Sequence, residues 1–359
     1  MSEQKTGSKR NANIELLRII SMLMVTILHA LGKSNLLGSL IVDPSVNSYA
    51  AWILESLSIS AVNIFMLISG YFLIKSTFRI SRLIELIAQV IFYTFGSFIV
   101  CYCLGIVGSE NVDLYWFLNY LLPVHMEVFW FMTAYILIYS LLPIISEGIR
   151  HIEKKSFQTA IVILLIYECA FKSFLPFRTA SDTRGYSFLW CLIVFLIGAY
   201  LRLYGFSFLK TPAKGLAVFF LSSAAVFAET MVLQYANSVM DKLKGIAGMS
   251  LDYNNFFVLS AAVGIFSTFI HLKPMAPQIG KVICFLSPMT LGVYLFQENL
   301  TLRFRWQPWF NLPSASSYPL FLFLAKVLGA TIIMFVIGTV IDFLRIQLFK
   351  LPALIFKKK

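Results

Sequence analysis

Apolar runs long enough to cross a bilayer recur along almost the whole of this 359-residue chain. No other feature limits its available folds so tightly. A segment in lipid must satisfy its own backbone hydrogen bonds, which leaves helices and closed barrels, and runs of about 20 apolar residues are the helical signature. Ten such runs are legible, at 14–32, 52–74, 83–107, 128–146, 157–175, 188–204, 215–235, 254–272, 281–300 and 318–343. The second half parses less cleanly, and an eleventh span stays open. With 59% hydrophobic and 13% charged residues and a mean hydropathy of +0.81, the composition lies far from that of soluble domains. The expected fold is all-α, a polytopic membrane bundle of about ten helices. It forms one domain over residues 1–359, with 1–13 and the basic stretch 344–359 as tails.

Orientation follows from the basic residues. With the N-terminus inside, twenty of the 29 Lys and Arg fall on the cytoplasmic side, which predicts both termini there. The net charge of +12 is largely this bias, and no basic run is interleaved with aromatics as a nucleic-acid partner would require. The polar first ten residues run into a long span without a small-residue cleavage site, so no removable signal peptide is expected. Cys101, Cys103, Cys169, Cys191 and Cys284 all fall within expected spans and read as small apolar residues, not as disulfides or metal ligands.

Within the first span, Glu15 and Arg18 stand three residues apart and are neighbours on one helix face. His29 follows after eleven more residues, close to three whole turns. It therefore shares Arg18's face about 16 Å further along the axis. An interfacial ion pair and a snorkelling histidine would be the unremarked reading. Ionisable groups inside a span are costly enough that a reaction centre is the stronger one, and a neutral imidazole there suits a general base.

The second span ends in Asn63 and then Ser69-Gly70-Tyr71, where Gly70 would let a backbone or ligand approach closely. Arg79 and Arg82 follow at i and i+3, at the entrance to the third span. They read either as ordinary positive-inside charge or as a phosphate clamp at a helix N-terminus. Trp130-Phe131 with Tyr135 open the fourth span, where an aromatic belt is expected in any case. Tyr294, Gln297, Glu298 and Asn299 close the ninth span as an outer interfacial cap or as acceptor-side contacts, and for Gln297 the cap is favoured. Glu55, Glu168, Glu229 and Asp342 have no assigned role, and His125, His151 and His271 are expected to be solvated.

Together these residues resemble the acyltransferase-3 family of integral membrane acyltransferases, which O-acetylate cell-envelope sugars and exopolysaccharides in bacteria. Glu15, Arg18 and His29 meet its first-span pattern; Ser69-Gly70-Tyr71 its Ser-Gly-aromatic signature; Arg79 and Arg82 its Arg-x-x-Arg; Trp130-Phe131 and the stretch Pro288 to Asn299 its later motifs. Gln297 stands where many members carry a histidine. The resemblance implies acetyl-CoA as cytoplasmic donor, no metal, and a carbohydrate or lipid-linked glycan as acceptor at the plasma membrane. Arg79 and Arg82 would hold the CoA phosphates near Ser69, Gly70 and Tyr71. His29 would activate the acceptor hydroxyl or carry the acetyl group itself, with Glu15 and Arg18 orienting the helix or the donor. Asn63, Trp130, Tyr294, Gln297 and Glu298 are candidates for the acceptor side. The competing class is a transporter or glycan flippase, whose polar residues would line a translocation path; the chain carries no visible inverted repeat. Acceptor and oligomeric state stay open.

Overall fold

The computed structural model describes residues 10–106, 113–175, 177–178, 182–205, 208–240 and 246–356, with the side chains of 351–356 left aside. The first apolar run is a single helix, α1 (Ala12–Lys33). The second is two, α2 (Val46–Ser58) and α3 (Ala61–Leu73). α4 (Ile80–Ile91) continues through a wide turn at Phe92–Gly96 into α5 (Ser97–Cys103), and the short α6 (Leu114–Leu121) follows. Next come α7 (Trp130–Ser140), α8 (Leu142–His151), α9 (Lys154–Leu165) and α10 (Phe171–Phe174). α11 (Phe188–Tyr204), α12 (Pro212–Val239) and α13 (Phe256–His271) complete the middle of the chain. α14 (Pro277–Leu286), α15 (Thr290–Gln297), α16 (Trp306–Trp309) and α17 (Leu320–Phe356) finish it. Among the described residues there is no strand.

Each of the ten apolar runs falls on helix, but the spans are not uniform. Eight helical stretches are long and apolar enough to cross a membrane, and α7 with α8, bent by 55°, makes a ninth if taken together. The remaining run, α11, has only 17 residues. By length and apolarity the described residues therefore hold eight such spans, or nine with the bent pair. The breaks have local causes. Pro143 and Pro288 lack the N–H that would bond the carbonyl four residues back, and each sits where one helix gives way to the next. Starts are capped in the usual way: Asn11, Ser187, Thr211 and Asn255 each accept a backbone N–H near the start of the helix that follows.

α1 lies at the centre, touching α2, α3, α13, α14, α15 and α17. Around it, α3 packs along α11 and α12 along α13. The α3–α11 crossing is close because it is built on glycines. A Cβ on Gly70 would stand 1.9 Å from the Phe195 carbonyl oxygen, and one on Gly198 would stand 2.3 Å from that of Leu67. Gly70 therefore serves the approach of a helix, not of a ligand.

The C-terminal boundary also differs from expectation. Residues 344–356 continue α17 instead of forming a tail, and Arg345 is 5% exposed. Its guanidinium grips the fully buried Asp342 at 2.7 and 3.1 Å, while Tyr93 (2.9 Å) and Gln89 (3.2 Å) donate to the same carboxylate. Both carboxylate oxygens of Asp342 thus accept hydrogen bonds, three on Oδ1 and one on Oδ2, which is what makes a buried charge tolerable.

Gly70→Ala is expected to destabilise the protein by about 1–3 kcal/mol or more, the usual cost of overpacking. Gly32→Ala, with open space around the added methyl, is the matched control. Thermal melts in detergent read the difference; equal melting would mean the α3–α11 contact yields freely.

Candidate active site

The three-turn spacing on α1 does what helical geometry requires: Arg18 and His29 both line one cavity of about 480 Å³. The walls come from α1, α3, α4, α7, the loop before α13 and the α14–α15 break. At the Arg18 end stand four guanidinium groups, those of Arg10, Arg18, Arg79 and Arg82, with Glu85 as the local carboxylate. At the other end stand His29, Trp130, Tyr253, Tyr294 and Glu298.

Each arginine is positioned differently. Arg79 caps α4 in extended conformation, and its backbone N–H donates to the Tyr139 hydroxyl at 3.2 Å. Arg82, in the first turn, lies over the Tyr139 ring at 5.7 Å. Arg10 donates to the Cys284 carbonyl (3.3 Å), the acceptor that Pro288 leaves without a helical partner. Arg18 is held by Glu15 (3.4 Å) and lies 5.9 Å above the Phe72 ring. Glu15 itself is buried behind the wall, where the Ser287 hydroxyl donates to it at 2.5 Å. It positions Arg18 and ties α1 to the α14–α15 break.

His29 has a partner that its own span does not supply. Its Nδ1 lies 3.3 Å from Glu298 Oε1, off the line of a good hydrogen bond, and the same oxygen pairs with Lys33. A carboxylate facing Nδ1 favours the proton there and leaves Nε2 as the basic nitrogen. Gln297 is fully buried against the His29 side chain, with its Nε2 3.7 Å from Met22 Sδ. The interfacial cap favoured for Gln297 is thus corrected: the helix end turns inward, and the glutamine packs beside the imidazole.

The remaining candidates divide. Ser69, Trp130 and Tyr294 line the cavity, with the Ser69 hydroxyl turned to the Phe65 carbonyl at 2.7 Å. Tyr71 stands outside the wall with Arg202 over its ring at 4.8 Å. Asn63 stands behind it, donating to the Tyr253 carbonyl (2.8 Å) and accepting from the Trp190 indole (3.0 Å). Arg10, Gln89, Tyr253 and Ser287 line the cavity without having been singled out in the sequence. Arg10 alone gave a signal, as a charge just ahead of the first span. Among the described residues, no group of three or more His, Cys, Asp or Glu could hold a metal ion.

A family model for the acyltransferase domain of the acyltransferase-3 family matches residues 11–342, from the cap of α1 to the buried aspartate of α17. The chain belongs to this family. No curated protein and no solved structure matches it. The protein is accordingly a membrane acyltransferase. Its family span takes in the whole cavity apart from Arg10.

In this acyltransferase Glu298→Gln is expected to lower kcat about tenfold or more with little change in either KM, because it removes the charge that orients the imidazole. Steady-state kinetics with both substrates varied will read this. A rise confined to the acceptor KM would instead move Glu298 to the acceptor.

Proposed function

We propose that this acyltransferase moves an acetyl group from cytoplasmic acetyl-CoA to a hydroxyl of an extracytoplasmic or lipid-linked polysaccharide at the bacterial plasma membrane. One observation carries the reading: a single cavity has four guanidinium groups at one end and His29 at the other. CoA is a polyanion at its nucleotide end and a thioester at the tip of a long, thin arm. Such a molecule suits a site whose phosphate contacts and reactive group lie about 16 Å apart along one helix.

The chemistry then follows from the residues. Arg79 and Arg82, at the N-terminus of α4, bind phosphate through charge-assisted bonds, helped by the helix dipole. Arg10 and Arg18 add charge on the opposite wall. His29 accepts the proton of the acceptor hydroxyl as its oxygen attacks the thioester carbonyl. The C–S bond breaks, and the CoA thiolate leaves with that proton returned to sulfur. The alternative order, in which His29 takes the acetyl group first and then passes it on, uses the same atoms. Glu298 stabilises the imidazolium in the first order.

His29→Ala is expected to abolish acetyl transfer at unchanged protein level and membrane insertion. The readout is glycan acetylation in matched membranes, and substantial residual acetylation would remove His29 from the mechanism. Replacing both Arg79 and Arg82 by Ala is expected to raise the apparent KM for acetyl-CoA more than it lowers kcat. Each lost charge-assisted bond is worth about 1.5–3 kcal/mol, or roughly 10- to 150-fold in binding. An unchanged donor KM would leave these arginines a role in topology alone.

A further inference from the structure

At the His29 end of the cavity three aromatic rings meet that come from three separate parts of the chain. Trp130 opens α7, Tyr186 precedes α11, and Tyr253 precedes α13. Trp130 lies 4.7 Å from Tyr186 and 5.7 Å from Tyr253, the latter pair near-parallel at 24°, and Tyr186 lies 4.7 Å from Tyr253. Trp130 and Tyr253 line the cavity, whereas Tyr186, 48% exposed, packs against both of them.

An aromatic belt at a membrane interface would account for single exposed rings. It does not account for Tyr253, which is 7% exposed and is gripped from every side. Before it in sequence, Asp252 is held by the two prongs of Arg178 at 2.5 and 3.2 Å. After it, Asn254 donates to Asp182 (3.4 Å) and Asn255 to Glu229 (3.0 Å). Its own N–H donates to the Arg184 carbonyl (3.0 Å), and its carbonyl accepts from Asn63. In the facing turn Arg184 is strained at φ 58°, and Gly185 at φ 78° takes the place where a Cβ would stand 2.8 Å from that of Tyr253. Asp182 holds this turn by accepting the Arg184 N–H at 2.9 Å. Charges this buried add little net stability but fix one arrangement, and strain of this kind persists where the surroundings over-determine it. What the arrangement fixes is one ring against Trp130 in the wall beside His29.

We infer that Trp130 and Tyr253, backed by Tyr186, form the subsite that stacks on one face of the acceptor's pyranose ring, and that the Arg178–Asp252 bridge is its positioning element. The inference rests on the acyl-transfer reading and names the part of the acceptor that is recognised. A pyranose offers a face of C–H bonds with its hydroxyls pointing outward around the rim. Such a face packs on aromatic rings, while one rim hydroxyl is presented to His29. A ringless polyol offers the same hydroxyls without the face.

The test is equilibrium binding of tritiated methyl glucopyranoside, galactopyranoside and N-acetylglucosaminide to the full chain in lipid nanodiscs, with acetyl-CoA binding measured separately. At least one pyranoside is expected to bind saturably, and sorbitol is expected not to compete. Trp130→Leu and Tyr253→Leu keep the apolar volume but lose the ring face, and each is expected to weaken pyranoside binding about tenfold. Both should still bind acetyl-CoA, which also reports an intact fold. Tyr253→Phe is expected to stay close to wild type. Arg178→Lys keeps the charge but loses the fork, and should fall in between. The inference is overturned if no pyranoside binds the wild type, if the leucine variants bind as wild type does, or if sorbitol competes equally. Pyranoside binding without acetyl-CoA binding would instead sink the donor assignment and leave the subsite standing.

Discussion

Two carboxylates fasten α1 to the α14–α15 span, one near each end. Glu15 takes the Ser287 hydroxyl at the break, and Glu298, just past α15, pairs with Lys33 and faces His29. The step from Glu15 to Lys33 is about 27 Å at 1.5 Å per residue, close to the thickness of the hydrocarbon layer. In a low dielectric a displaced carboxylate would lose its partner without gaining water, so neither end can slide along its neighbour cheaply. Everything the cavity does depends on that registration. It fixes the arginine face of α1 opposite Arg79 and Arg82, and the histidine face opposite the aromatic wall.

The legible part of this design is the part written on single helices. Periodicity along one helix put Arg18 and His29 on a shared face, and Arg79 with Arg82 in one first turn, because those relations need no tertiary information. Each of the ten apolar runs falls on helix, since the bilayer demands length and apolarity of each span in isolation, whereas the short α6 and α16 lie outside every run. The unread part depends on contacts between distant segments. Glu298 sits 269 positions from His29, and nothing in its own stretch distinguishes a capping carboxylate from one that turns inward. Tyr253 lies in a loop whose role is set by Arg178, Asp182 and Glu229. Gly70 was half legible for the complementary reason: a small residue announces the close approach of a backbone or a ligand, but the sequence does not say that Phe195 is what approaches. The same holds for Arg345, which reads as tail charge until Asp342 is seen to bury it.

The cavity is polarised along its length. Guanidinium groups and a helix N-terminus crowd one end, where an anion gains most from both. The far end offers one histidine among aromatic and apolar side chains. This polarity is what the proposed donor requires: its charge would lodge at the cationic end, with the uncharged thioester alone reaching His29. The carboxylates also differ in their surroundings: Glu15 pairs with Arg18 and Glu85 lines the arginine end, whereas Glu298 pairs with Lys33 and faces the imidazole.

The break in the α14–α15 span is what allows one segment to serve both ends. Pro288 withholds an N–H, so the Cys284 carbonyl is freed, and Arg10 takes it. The tight turn at Ser287–Met289 then aims the Ser287 hydroxyl at Glu15 and lets α15 carry Tyr294, Gln297 and Glu298 to the imidazole. Broken backbone at membrane depth is tolerated where it lines a cavity, because polar side chains there can meet the exposed carbonyls and hydroxyls. Arg10 and Glu15 are those side chains: Arg10 also lines the charged mouth, and Glu15 pairs with Arg18, which does. Arg10 thus meets the carbonyl that the interruption exposes and adds its charge to the cavity's cationic end, so the break is accommodated in the cavity wall.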